Sequence, residues 1–77
     1  MSESIQALVS LSAYQPTRAH LFPSLESARW FVRKNKQRLI AVGALLRIAG
    51  RDFVQPEKFD GAVIEIGKDI AARKAAA

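Results

Sequence analysis

The stretch SLESARWFVRKNKQR, Ser24 to Arg38, decides the fold. It holds five Lys or Arg residues, one Glu and the block Trp30-Phe31-Val32. Ser24 stands between Pro23 and an apolar-periodic run, the position of a helix N-cap whose hydroxyl accepts from a first-turn backbone N–H. Leu25, Ala28, Phe31 and Val32 recur at the spacing of one buried helical face. The opposite face carries Glu26, Ser27, Trp30, Arg33 and Lys34, with Arg29 beside them. The stretch therefore reads as a helix that buries one side and crowds bases against an aromatic on the other.

Upstream, Leu21-Phe22-Pro23 ends any preceding helix, because a residue before proline is pushed out of the helical region. A short helix is expected within Ser12–His20, with Ser12 as a candidate N-cap and Pro16 at a first helical position. Two short helices joined by a tight turn form a helix-turn-helix. Residues 1–11 leave two readings open. Ile5, Leu8 and Leu11 line one face of a helix, and Val9–Leu11 fits a short strand equally well.

Downstream, residues 39–43 read as an apolar connector closing on Gly43. Leu45, Leu46 and Ile48, then Phe53 and Val54, flank Gly50-Arg51, which predicts a two-stranded hairpin with glycine where positive φ is needed. Gln55-Pro56-Glu57 opens a last helix, with proline at its first position. Phe59, Val63, Ile66 and Ile70 form its apolar stripe. Gly61 and Gly67 each weaken that helix by ~1 kcal/mol relative to alanine. The alanine-rich end from Ala71 has high helix propensity but nothing to bury, so it is expected to fray or to meet another molecule. The expected fold is mainly α with a β-hairpin, a winged helix-turn-helix. The expected organisation is an N-terminal arm at 1–11, a domain at 12–70 and a tail at 71–77.

A chain of 77 residues makes one domain with a modest core. It has no Cys, so neither a disulfide nor a Cys-based zinc site holds it, which fits a reducing compartment. No apolar run approaches the roughly 18 residues of a membrane span. The start lacks the basic segment and cleavage pattern of a signal peptide. A soluble cytosolic chain is expected. The net charge of +5 is localised. Residues 24–51 hold seven bases (Arg29, Arg33, Lys34, Lys36, Arg38, Arg47 and Arg51) against Glu26 alone, whereas residues 55–77 hold four bases and four acids. A concentrated positive field points to a polyanion, with nucleic acid first. No His–carboxylate pair, glycine-rich phosphate loop or metal-ligand cluster is present, so no enzyme, cofactor or metal is expected. His20 has no ligand-type neighbour and reads as a surface or turn residue.

Three short motifs resemble a known family. Ser27-Ala28-Arg29-Trp30-Phe31 resembles the Thr-Leu-Arg-Tyr-Tyr pattern of a MerR-like second helix. Arg47-Ile48-Ala49-Gly50-Arg51 is similar to the Arg-Ile-Gly-Arg-Arg wing of excisionases. Val54-Gln55-Pro56-Glu57-Lys58-Phe59 resembles the family's hydrophobic-Asp-Pro-Glu-x-Phe entry into its last helix. The chain thus resembles the MerR-like excisionases, or recombination directionality factors, and the AlpA-type regulators beside them, from about Pro16 to Phe59. It departs from them in Ser27 for Thr, in Gln55 for the capping Asp, and in a longer link to the wing over residues 36–39.

The candidate DNA-binding residues are Ser24, Ser27, Arg29, Trp30, Arg33, Lys34, Lys36, Arg47 and Arg51. Ser24 and Ser27 are small donors at a helix N-terminus, where the dipole favours phosphate. Arg33 shares a face with Ser27, and Arg51 at the hairpin tip suits phosphates or a minor groove. Lys34, Lys36 and Arg38 suit backbone phosphates, which set position without reading sequence, although Lys34 and Lys36 equally suit a solvated helix end. The resemblance implies DNA contact for Arg29 and for the wing arginine Arg47. It also implies stacking of Trp30 on a sugar-phosphate edge, against which stands a role for Trp30 as a cap on the core beneath the wing.

The resemblance implies an excisionase that binds and bends attachment-site DNA and biases a tyrosine integrase toward excision of a mobile element. The alternative is an AlpA-like transcriptional regulator at a promoter. A protein-interaction module with an acidic partner is disfavoured, because the charge coincides with the groove-facing helix. Expected partners are double-stranded DNA, an integrase and neighbouring copies of the chain on DNA. The expected location is the bacterial cytoplasm, at the nucleoid. The chain's end at Ala77, without a long dimerising helix or sensor region, leans toward the excisionase. A free monomer that binds DNA cooperatively through its tail is expected.

Overall fold

The computed structural model describes residues 7–76. Its elements are α1 (Leu11–Thr17), α2 (Leu25–Lys34), α3 (Lys36–Ala41), β1 (Leu45–Ile48), β2 (Arg51–Val54) and α4 (Pro56–Ala76). The protein is mainly helical with one antiparallel hairpin, an order compatible with a helix-turn-helix and a wing.

Ser24 caps α2 as its sequence position requires. Its hydroxyl accepts from Ser27 N (3.2 Å), and the Ser27 hydroxyl accepts from Ser24 N (3.2 Å). This reciprocal box satisfies two N–H groups that a helix start leaves open. Ala28 is fully buried, and Leu25, Phe31 and Val32 are half-buried beside it.

α1 begins earlier than expected. Ser10, not Ser12, is its cap, accepting from Ala13 N (3.2 Å). Pro16 lies inside the helix and not at its start. The position is tolerable because α1 ends one residue later, so the ring costs a single helical hydrogen bond near a terminus. The helix stops at Thr17, before the Leu21-Phe22-Pro23 segment, and Arg18 N caps it by donating to Gln15 O (3.0 Å). Of the two readings for the first residues, the strand-like one holds at Val9, which pairs with Val54 in an isolated antiparallel bridge. The helical reading leans on Ile5, which lies outside the described residues. Val9 and Leu11 both pack against the core.

The expected connector at 39–43 is instead largely helical. α3 sends Leu39 into the core with no exposed surface and leaves Ile40 outside. Gly43, at φ 79°, ends it, and Ala44 N reaches back to Leu39 O (2.9 Å). The hairpin forms where expected, with Leu45 opposite Val54 and Ile48 opposite Arg51, but its turn is Ala49-Gly50 and not Gly50-Arg51, since Arg51 already pairs in β2. Its two-residue turn places both Ala49 (φ 54°) and Gly50 (φ 77°) in the left-handed region, the primed geometry that matches strand twist.

Gln55 substitutes effectively for a capping Asp. Its side-chain carbonyl accepts from Lys58 N (2.9 Å), and its own N–H donates to Ala44 O (2.9 Å). α4 then runs unbroken to Ala76, so the alanine-rich end is helical. Of its stripe, Phe59 and Ile66 are buried and Val63 half-buried, whereas Ile70 is 45 % exposed. Ala62 is the buried partner that the stripe omitted.

The core is an aromatic stack. Phe59 has no exposed surface, and its ring centroid lies 4.8 Å from Tyr14, 6.0 Å from Phe31 and 6.5 Å from Phe22. α1 and α4 are tied by charge as well. Asp60 accepts from the Tyr14 hydroxyl (2.5 Å) and from Arg18 Nε (2.9 Å) and Nη2 (2.6 Å). The Arg18 hydrogen bonds hold the Asp60 carboxyl below the usual carboxylate range, while burial pushes the Tyr14 phenol above its ordinary value.

Candidate nucleic-acid interface

The start of α1, α2, the start of α3 and the hairpin border an open cleft of about 480 Å³. Half-buried Leu11, Leu25 and Val32 and buried Leu45 form its apolar lining, and Arg29, Arg33 and Lys36 its basic lining. Ser10, Ser12 and Asp52 also border it. The bases meet here because Arg29 and Arg33 are one helical turn apart on α2, and α3 begins with Lys36 directly after Asn35. Asn35 makes the corner: its N–H bonds to Phe31 O (3.1 Å) and Val32 O (3.3 Å), and its side-chain amide to Phe31 O (3.0 Å). Arg33 and Lys36 also line a hollow of about 580 Å³ over residues 33–38.

The nine candidate residues do not all reach this cleft. Arg29, Arg33 and Lys36 line it. Ser24 and Ser27 stand at the start of the same helix, with their hydroxyls used in the cap. Trp30 is 56 % exposed on α2, so it does not cap a core beneath the hairpin. Lys34 Nζ lies 5.5 Å from the indole centroid, a cation–π distance. Arg51 is exposed at the hairpin end and has no acidic partner among the described residues. Arg47 is engaged within the hairpin, donating to Asp52 Oδ1 (3.0 Å) and to Gly50 O (3.3 Å). Arg38, one of the seven clustered bases, is held by Asp69 of α4 (2.6 Å).

One acid, Asp52, was missed by reading bases alone, and so was the pairing of Glu26. Asp52 faces Arg47 across the hairpin, which the strand register reveals once the turn is fixed. Glu26 lies on the exposed face of α2, with Oε2 3.6 Å from Arg29 Nη1. Its signal was in the spacing, since Glu26, Arg29 and Arg33 stand at i, i+3 and i+7.

Among the described residues no group of His, Cys, Asp or Glu could hold a metal ion. No helix there is long and apolar enough to cross a membrane. The cleft is open and basic, a shape suited to an extended anion. No family model, curated protein or solved structure matches this chain.

Proposed function

We propose that this chain is a small winged helix-turn-helix DNA-binding protein in which α2 enters the major groove and the hairpin flanks it as the wing. In this reading it is an excisionase that bends attachment-site DNA and so directs a tyrosine integrase toward excision. The observation that supports it is the convergence of Arg29, Arg33 and Lys36 on one cleft beside the hairpin. Three of the four acids of α4 are turned to other work, with Asp60 on Arg18, Asp69 on Arg38 and Glu65 near Lys68. Arg33, Lys36 and Arg51 have no acidic partner among the described residues and remain available to phosphates or bases. A basic surface of this kind suits architectural work, where contacts and DNA bending supply the effect.

Footprinting on a candidate attachment site tests the proposal. Protection over phased repeats, with bending in a circular-permutation gel assay, is the expected result. One promoter-sized site without bending would favour the AlpA-like regulator. Affinity for duplex DNA that does not change with salt would remove nucleic acid as the partner.

A further inference from the structure

Glu26 is the residue on α2 that a purely electrostatic reading leaves unexplained. Its side chain is 81 % exposed, and it lies on the strip that also carries Arg29, Trp30 and Arg33. A carboxylate there opposes a polyanion, so it lowers the affinity of the very surface on which it stands. Such a group weakens every duplex except one that offers it a donor.

We infer that Glu26 and Arg29 together read a single G·C base pair in the major groove, with Glu26 as the residue that sets specificity. The inference rests on the DNA-binding reading above and deepens it. The two side chains hold opposite charges side by side, with Glu26 Oε2 3.6 Å from Arg29 Nη1. The major-groove edge of a G·C pair has the matching pattern, in which guanine offers the acceptors N7 and O6, and cytosine beside it offers the N4 amino donor. Arg29 donates to guanine and Glu26 accepts from cytosine. An A·T pair in the same orientation keeps the purine N7 acceptor but reverses the other two positions. The adenine N6 donor then meets the guanidinium, and the thymine O4 acceptor meets the carboxylate. Glu26 is the second residue of α2, close to the end of a reading helix that comes nearest the bases. A second role for an acid in a first turn is to complement the helix dipole. That role affects stability and carries no base preference, so the two are separable.

The test is selection of sites from a randomised duplex library by the full chain, followed by affinity measurements on the selected site. The wild type is expected to select a G·C pair at one fixed position, and exchanging it for A·T should weaken binding about tenfold or more. In Glu26→Ala the same exchange should weaken binding severalfold less than in the wild type, the remaining preference being the contact of Arg29 with guanine, while affinity for unrelated duplex stays equal or rises. Alanine is used because a glutamine carbonyl would still accept from N4. Arg29→Gln should lose the preference together with affinity. Circular dichroism confirms that both variants fold, as their exposure leads one to expect. Full retention of the G·C preference in Glu26→Ala overturns the inference and leaves the DNA-binding reading standing. So does selection by the wild type with no invariant G·C pair. Absence of any wild-type binding to duplex DNA overturns the DNA-binding reading itself.

Discussion

Ionic strength distinguishes bases that are free to meet phosphate from bases the fold already uses. Of the seven between residues 24 and 51, Arg38 is bonded to Asp69 (2.6 Å) and Arg47 to Asp52 (3.0 Å). Arg29 is paired with Glu26 (3.6 Å), which leaves Arg33, Lys34, Lys36 and Arg51. If each neutralises one phosphate, log K should fall against log salt with a slope of about −3.6. Between roughly 50 and 200 mM salt, affinity should then weaken by about 150-fold. Fluorescence anisotropy of a labelled duplex at several salt concentrations measures the slope directly. Arg33→Ala should reduce its magnitude by about 0.9. Arg38→Ala should leave it unchanged, because its charge is engaged by α4, and should cost at most about 1 kcal/mol of stability as an exposed pair. A slope near zero refutes the electrostatic footprint. Equal flattening by the two variants refutes the division of the bases into free and engaged.

The remaining predictions concern the fold. Phe59→Ala should cost ~3–5 kcal/mol by emptying the centre of the aromatic stack, against a total stability of about 4–11 kcal/mol for a domain of this size. Trp30→Ala, on an exposed side chain, should stay within about 0.5 kcal/mol, and similar thermal shifts for the two would refute the core assignment. Ala49→Asn should stabilise the protein by about 1 kcal/mol, because Ala49 sits at φ 54°, where Asn is tolerated better; a lower melting temperature would contradict the turn. Asp60 has its pKa depressed in the folded state, so its contribution is complete above the unfolded value and is lost as pH falls through the folded one. Asp60→Asn should therefore flatten the acid limb of melting temperature against pH below about pH 4, and an unchanged limb would argue against the Tyr14–Arg18–Asp60 network.

Elements with a strong local signal were legible in the sequence. Ser24 as a cap, the apolar spacing of α2, the glycine of the hairpin turn and Pro56 at the start of α4 each have a short-range physical cause. α3 was not legible, because six residues are too few to show a period and only Leu39 turns fully inward. The start of α1 was misread because Pro16 marks a first turn by preference and sits here at a last turn by tertiary context. At the interface the positions of the bases on α2 followed from periodicity, but which bases were free did not. Arg38 meets Asp69 and Arg47 meets Asp52 only after α4 and the hairpin are in place. The Arg38–Asp69 pairing is long-range and leaves no local trace, whereas Arg47 and Asp52 are five residues apart and meet through the hairpin register.

Those pairings also shape the field around the molecule. α4 contributes Asp60 to Arg18, the residue that caps α1, and Asp69 to Arg38 of α3. The ion pairs therefore tie α4 to the segments packed against it. Arg33, Lys36 and Arg51 are left without an acid among the described residues around α2 and the hairpin, which gives part of the net charge of +5 a direction, while Arg73 and Lys74 carry further charge in the last turn of α4. A directional field orients a duplex before contact, and such steering raises association rates and falls with salt. Asp52 and Glu26 then act against that attraction at short range. Asp52 holds Arg47 within the hairpin, and Glu26 stands exposed beside Arg29. In the proposed DNA-binding reading, acids embedded in a basic surface cost affinity on every duplex that offers them no donor, and selectivity among sequences is what they would supply in return.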